Sequence, residues 1–225
     1  MTDHQRIYLE GRDRISNLVL ALDAGAEGAP VPACPGWTLR DAVAHVTGIM
    51  DDSLAGNLEG VGSDAWTRAQ IAKRAGRSVE QIVEEWRDLC DQAAVLFETL
   101  PPPVTQSLVG DLTTHEHDIR GGLVNRDARD TDSVDLALDW YARSFTKRVL
   151  DAGLPMVKVV AGEREWTRGD DAPTLAVTGS PFELLRSLTG RRTADEVAAL
   201  EWSGDPSAYV PLASAYGWPV TSLGE

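Results

Sequence analysis

Histidine and aspartate are spaced for metal binding in one predicted helix of this sequence. Asp111 and His115 stand four residues apart, so on a helix their side chains leave the same side, one turn apart. A carboxylate and an imidazole at this spacing can reach a single ion. The chain has four histidines, and two others, His45 and His117, also fall within predicted helices.

His45 supplies a possible third ligand from another helix. It lies on the flank of that helix's apolar stripe, where it can lean into a bundle without being surrounded by aliphatic groups. His45, Asp111 and His115 would give a divalent metal two nitrogens and one oxygen, leaving positions open for water or substrate. The same spacings are also typical of a hydrogen-bonded core histidine and of a surface ion pair. Metal binding is therefore a hypothesis at this point.

Three further residues are candidates for catalysis. Glu116 lies near the middle of the apolar face of the helix that carries His115, and it could be a rival metal ligand or a general base. Arg191 and Arg192 stand just before a helix start at Thr193, where they could bind a carboxylate together with the helix dipole. Arginines beside a surface helix also commonly serve only to solvate it.

The remaining histidines and the two cysteines are expected to have no catalytic role. His117 is rotated by about 200° from His115 on a helix, so it should point away from the possible site and be solvated or packed against a neighbour. His4 falls in a terminus that we expect to fray. Cys34 and Cys90 are 56 positions apart and form no metal-type pair, so we expect both to be small packing residues.

Amphipathic helices must hold these residues in place. Apolar side chains recur mostly three, four and seven positions apart in four segments before residue 127. Thr38 with Asp41 predicts the start of the helix that carries His45, and Ser78 with Gln81 predicts the start of the next one. Such helices, joined by modest loops, form a bundle. The predicted helices are 6–23, a segment from 38 through 50, 78–101 and 107–123.

A change of pattern after residue 127 predicts a second domain. One more helix is followed by short segments rich in β-branched residues, separated by glycines, and then by two short helices. We therefore predict an α+β protein with a helical bundle over residues 1–127 and a small α+β domain over residues 128–225. In this domain the helices are predicted at 134–152, 181–188 and 193–200, and the strands at 156–161, 165–168 and 174–178.

The composition excludes several classes of protein. With 35 acidic and 21 basic residues the formal charge is −14, which is unsuited to a phosphate backbone, so we expect no nucleic-acid partner. No segment approaches the roughly 18 apolar residues of a membrane span, and the start of the chain lacks the apolar core of a secretory signal. We therefore expect a cytoplasmic protein that binds no membrane, and its acidic surface favours a monomer.

Four stretches of the sequence resemble a known family. The run VPACPGWTLRDAVAH ends at His45, and the run HEHDIRGGL begins at His115. Together they look like the mycothiol-dependent maleylpyruvate isomerase family, within the DinB-like metalloenzyme superfamily. LLRSLTGRR, which ends at Arg192, and WSGDP, which begins at Trp202, are similar to the second domain of that family. The resemblance covers nearly the whole chain.

The resemblance implies a DinB-like four-helix bundle with a metal site, in which His45 and His115 match ligands on the second and fourth helices. Asp111 stands where the isomerases have a glutamate, and its shorter side chain leaves three possibilities: the helix sits closer, a water fills the gap, or the metal is held loosely or not at all. The implied cofactors are zinc and mycothiol or a similar low-molecular-weight thiol. The nucleophile would then be the cofactor's thiol rather than Cys34.

The implied function is the isomerisation of a small electrophilic organic acid, or the transfer of a thiol to it. A thiolate activated by the metal would add to a double bond and leave after rotation, or it would displace a leaving group. Two alternatives remain open. One is a non-catalytic metal- or ligand-binding regulatory protein on the same fold, and the other is a metal-dependent hydrolase.

Overall fold

Apolar helix faces build the first of two units in the computed structural model, which describes residues 1–214 and 216–225. The first unit is Met1–Asn125 and the second is Arg126–Glu225. The helices of the first unit are α1 (Asp3–Leu20), α2 (Leu39–Ala55), α3 (Asp64–Lys73), α4 (Val79–Gln92), α5 (Ala94–Thr99) and α6 (Pro102–Gly122), with a 3₁₀ turn at Ala26–Gly28.

The four long helices of this unit, α1, α2, α4 and α6, pack around a common core. Helix α1 packs against α4 and α6, and α2 packs against the same two helices from the other side. The predicted four-helix bundle is thereby confirmed. Side chains from all four helices form its core, among them Ile15, Val43, Trp86 and Leu112, each of which is almost completely buried.

The helix that carries His45 begins where the sequence predicted. The Thr38 side chain accepts a hydrogen bond from the Asp41 backbone N–H, and the Asp41 carboxylate accepts one from the Thr38 backbone N–H, which confirms the capping box. Ser78 and Gln81 form the same arrangement before α4. Because these caps fix the first turn, they also fix which face of each helix is turned toward the core.

Three local predictions for the bundle differ from the structure. The segment predicted as one helix at 78–101 is two helices, α4 and α5, which meet at Ala93. Helix α6 begins at Pro102 rather than near residue 107, because proline is well suited to the first turn of a helix. His4 lies within α1, and its Nδ1 is 2.8 Å from Oγ1 of Thr105, so this terminus is held rather than frayed.

Helix α3 was not predicted from the sequence. In the structure a buried arginine holds it against the neighbouring helices. The side chain of Arg74, which follows α3, is completely buried. Its Nη2 lies 3.0 Å from Asp51 of α2 and 2.8 Å from Glu85 of α4. Its Nη1 also donates to the backbone oxygen of Gln70 within α3. Arg74 therefore joins α2, α3 and α4. Its ion pairs and its hydrogen bond offset part of the free energy that burying the guanidinium charge costs.

The second unit combines a helix layer with a small sheet, and the predicted α+β class is confirmed. The elements are α7 (Asp132–Asp151), β1 (Val157–Ala161), β2 (Arg164–Trp166), β3 (Leu175–Thr178), α8 (Pro181–Leu188), α9 (Ala194–Ala198), β4 (Glu201–Trp202) and α10 (Val210–Ala213). The strands lie in the order β2, β1, β3, β4, with β1 parallel to β3 and the outer pairs antiparallel. Helix α7 packs against α8 and β1.

Within residues 1–214 and 216–225, each helix is too short or too polar to span a lipid bilayer.

We predict that replacing Arg74 with alanine destabilises the bundle by about 3 kcal/mol, the lower end for breaking a buried ion pair. The lower end is expected because Asp51 and Glu85 keep Lys73 and Arg77 as partners. Lys73→Ala is the matched control, since Lys73 binds the same Asp51 from an exposed position and should cost less than about 1 kcal/mol. Urea unfolding of both variants measures the difference, and equal losses would contradict the structural role of Arg74.

Candidate metal centre

Helices α2 and α6 bring two histidines together inside the bundle. His45 of α2 is 4% exposed and His115 of α6 is 7% exposed. The centroids of the two rings are 4.8 Å apart, and the ring planes are nearly perpendicular at 87°. This close approach joins residues that are widely separated in the sequence.

Asp111 completes the group of residues that the spacing singled out. Its Oδ1 lies 3.8 Å from Nε2 of His115, one helical turn further along α6. His45, Asp111 and His115 each offer a ligand atom, and these atoms all lie within 4.8 Å of one another. Two metal–ligand bonds of about 2 Å span at most about 4 Å, so a single ion can join Asp111 to His115 despite the short aspartate side chain.

His45 is held by a residue that the sequence reasoning missed. Its Nδ1 is 2.7 Å from Oε1 of Gln70, and Nε2 of Gln70 donates in turn to Asp52 at 2.6 Å. Nε2 is therefore the nitrogen through which His45 would bind a metal. Gln70 belongs to α3, whose apolar periodicity is weak. Ser63, which caps α3, and Asp64 in its first turn are signals of its start in the sequence.

A glycine on α2 lets Gln70 come this close. A Cβ atom added to Gly48 would lie only 2.5 Å from Cβ of Gln70, a distance that real side chains do not show. Gly48 stands one turn after His45 on the same helix. The absence of a side chain at this position therefore permits the hydrogen bond between Gln70 and His45.

His115 is held on its other nitrogen by a buried carboxylate. Nδ1 of His115 lies 3.0 Å from Oδ2 of Asp118, which is completely buried. Sγ of Cys34 donates to the same oxygen at 3.4 Å and lies 3.9 Å from Nδ1 of His115. Cys34 is buried, as expected of a packing residue, but it also contacts a histidine that no local sequence pattern connects with it.

The environment of His115 favours its protonated form in the metal-free protein. Burial alone would lower the pKa of His115, but the charge of Asp111 and hydrogen bonds with Asp118 and Cys34 raise it to about 10. A raised pKa favours the form of the ring that carries a proton on both nitrogens. A cation that binds at Nε2 must replace one of these protons.

Two tryptophans cover the histidine pair. The Trp37 ring stacks on His115 at 5.7 Å with an angle of 23°, and it meets His45 edge-on at 5.1 Å. The Trp66 ring lies 6.5 Å from His45, nearly perpendicular to it. These large apolar surfaces limit the access of water, whereas the Asp111 side chain is 36% exposed and marks the open side of the site.

The other predicted catalytic residues are engaged in ion pairs or backbone hydrogen bonds. Glu116 is completely buried, and its carboxylate lies 2.8 Å from Nη2 of Arg14 and 2.9 Å from Nη2 of Arg120. The pair with Arg14 joins α1 to α6, and the pair with Arg120 lies within α6. They do not favour a base, because a carboxylate held by two guanidinium groups gives up its lone pairs to them. A catalytic role of Glu116 stays a prediction.

Arg191 and Arg192 belong to the second unit. Nε of Arg192 lies 2.9 Å from Glu183, and its Nη1 lies 3.1 Å from Glu225. Nη1 of Arg191 donates to the backbone oxygen of Thr189. Binding of a substrate carboxylate by these arginines also stays a prediction. His117 of the first unit is buried, so of the two expected environments it has the packed one.

Comparisons with known proteins concern the family and the fold. The family model described as the mycothiol maleylpyruvate isomerase N-terminal domain matches residues 8–133. A crystal structure of the mycothiol-dependent maleylpyruvate isomerase is similar, with a TM-score of 0.55, 15% identity, and coverage of 89% of this chain and 92% of that chain. A histidine-to-alanine mutant of that enzyme has a TM-score of 0.51, 16% identity and the same coverage. No curated protein is similar enough to count as a match.

We predict that Gly48→Ala destabilises the protein even though alanine is the better helix former. Alanine gains about 1 kcal/mol over glycine within a helix, but overpacking against Gln70 costs about 1–3 kcal/mol. We expect a net loss of up to about 2 kcal/mol from these two opposing effects. Gly28→Ala is the control, because a Cβ there meets no atom within 4 Å. If thermal unfolding finds Gly48→Ala more stable than the wild type by the full helix-propensity gain of about 1 kcal/mol, the close contact with Gln70 is contradicted.

Proposed function

Because the chain belongs to the family of the mycothiol maleylpyruvate isomerase N-terminal domain, we propose that it is a metal-dependent enzyme that uses mycothiol or a similar low-molecular-weight thiol. Its substrate would be a small electrophilic organic acid, which it would isomerise or conjugate to the thiol. The observation that carries the proposal is the convergence of His45, Asp111 and His115 on one point of the bundle.

The donor set fits a divalent ion of the zinc type. Two imidazole nitrogens and one carboxylate oxygen are a common catalytic zinc set, and they leave a coordination position open. A metal bound there would lower the pKa of a thiol or water that occupies this position. The two proposed histidine ligands are held in place by hydrogen bonds on their other ring nitrogens, His45 by Gln70 and His115 by Asp118.

Residues around the site would limit the access of water and leave one side open to a reactive thiol. Trp37 and Trp66 shield the histidines from water, which strengthens electrostatic interactions within the site. Asp111 faces the exposed side, so substrate and thiol would approach from there. The ion pair between Arg14 and Glu116 connects α1 to α6 beside His115, and we propose this anchoring role for Glu116; its role as a general base stays a prediction.

We predict that the purified protein contains stoichiometric divalent metal and that His45→Ala removes it, because one of two nitrogen ligands is lost. His4→Ala is the control, since His4 is hydrogen-bonded to Thr105 and belongs to no group of possible ligands among the described residues. Metal content is measured by mass spectrometry. Wild-type protein that takes up no metal, even from zinc-containing buffer, would exclude both the isomerase and the hydrolase and would favour the regulatory protein.

We further predict that turnover of small unsaturated acids requires an added thiol. The metal-loaded protein is incubated with a substrate panel that includes maleylpyruvate, with and without mycothiol, and products are followed by liquid chromatography. An isomer that forms only with mycothiol indicates an isomerase, and a thiol conjugate indicates a transferase. Turnover that is independent of thiol contradicts the proposal and favours the metal-dependent hydrolase.

A further inference from the structure

His115 belongs to two groups of potential metal ligands in the described part of the chain. One group is His45, Asp111 and His115, and the other is Cys34, His115 and Asp118. The first uses Nε2 of His115 and the second uses Nδ1. A single ion cannot use both nitrogens of one ring, so the structure must favour one side.

The distances on the Cys34 side are those of a hydrogen-bonded cluster. Nδ1 of His115 and Oδ2 of Asp118 are 3.0 Å apart, the length of a hydrogen bond. Two ligands at about 2.0–2.1 Å in a tetrahedral zinc site are separated by about 3.3 Å. A metal between these atoms would have to separate them and break a bond that now satisfies two buried groups.

The residues on the two sides of the His115 ring also differ in their exposure to solvent. Cys34, His115 and Asp118 are all buried, so an ion among them would have no open position for a thiol or substrate. Asp111, on the other side, has a side chain that is 36% exposed. The Nε2 side is therefore suited to a reactive metal, and the Nδ1 side is suited to holding the ring.

One short segment before α2 contacts His115 in two ways. Residues 31–37 form a turn in which the Cys34 backbone N–H donates to Val31 and the Trp37 N–H donates to Cys34. Gly36 has a φ of +87°, which glycine adopts without strain, and this brings Cys34 and Trp37 to the same side chain. Cys34 donates to the carboxylate that binds Nδ1 of His115, and Trp37 stacks on the ring itself.

We propose that Asp118 is a positioning residue that fixes His115 with Nε2 toward His45 and Asp111, and that the turn at 31–37 reinforces it through Cys34 and Trp37. The inference rests on the proposed function, because it assumes that His115 is a metal ligand. In this proposal the C-P-G-W stretch at residues 34–37 does more than pack. The thiol of Cys34 helps to orient His115, a proposed metal ligand, without itself binding the metal. A carboxylate on the second nitrogen also makes the imidazole a stronger ligand.

The test compares variants of Asp118 and Cys34 in the full-length protein. Asp118→Asn keeps the shape of the side chain and removes its charge, Cys34→Ser keeps a donor, and Cys34→Ala removes it. Asp41→Asn is the matched control, because Asp41 stands one turn before His45 but its carboxylate binds Thr38. We measure cobalt and zinc affinity by competition with a chelator, the absorption spectrum of the cobalt-loaded protein without added thiol, and the melting temperature of the metal-free protein.

We expect Asp118→Asn to weaken metal binding by about 10- to 100-fold and to shift the visible cobalt bands, whereas Asp41→Asn changes only the melting temperature. Cys34→Ala should weaken binding less than Asp118→Asn does, and Cys34→Ser should restore it. Equal metal affinity of Asp118→Asn and Asp41→Asn would overturn the proposal. So would a near-ultraviolet thiolate-to-cobalt band that disappears in Cys34→Ser, because Cys34 would then be a ligand.

A measurement without metal separates this inference from the proposed function. In the nuclear magnetic resonance spectrum of the metal-free protein, the Nδ1 proton of His115 should give a protected signal. Asp118→Ala should abolish this signal, because alanine removes the acceptor, which the amide oxygen of Asp118→Asn would keep. The assignment of the signal is confirmed by its loss in His115→Gln. If the wild type binds no metal, the proposed function fails, while a signal that persists in Asp118→Ala overturns the positioning role by itself.

Discussion

Two imidazole rings buried in the core of a helical bundle impose a constraint on the rest of the first unit. A buried polar group costs free energy unless it is hydrogen-bonded, and a ring that also binds a metal must be held by its second nitrogen. Gln70 meets this need for His45, and Asp118 meets it for His115. The helix that carries Gln70 must therefore lie against α2, and Arg74 holds it there.

The same constraint explains why so much charge is buried around the site. Asp118, Glu116 and Arg74 are all buried, and each has a hydrogen-bonded partner from another element or another turn of its helix. Such groups contribute little net stability when they are paired, but they are costly when a partner is removed. The bundle is thus held in one arrangement by polar contacts in addition to its apolar core.

The parts of the fold that follow from local patterns could be predicted from the sequence. Helix periodicity and capping residues gave α2 and the start of α4, and the four-residue spacing placed Asp111 beside His115. Helix α3 escaped prediction because it lies over α2 without a strong apolar face of its own. The break between α4 and α5 escaped because the apolar pattern continues through Ala93, although the helix ends there.

Contacts between distant residues could not be predicted in the same way. Nothing in the neighbourhood of Cys34 indicates that its thiol meets Asp118, because the contact depends on how the turn before α2 meets α6. Gln70 is a polar residue on a short helix, and its role follows only from its hydrogen bond to His45, which the missing side chain at Gly48 permits. Residue types and spacing therefore indicated the proposed ligands, and tertiary packing determined which residues hydrogen-bond to the two rings.

The uneven exposure of the three proposed ligands has a kinetic consequence. A metal ion that enters from water would pass the Asp111 carboxylate, which is more exposed than either buried ring, and would leave by the same side. Asp111 would therefore govern how fast the ion is exchanged, while all three proposed ligands and the partners of the rings would set how tightly it is retained. A chelator would first compete with the aspartate, so the lifetime of the bound ion and its affinity can vary independently.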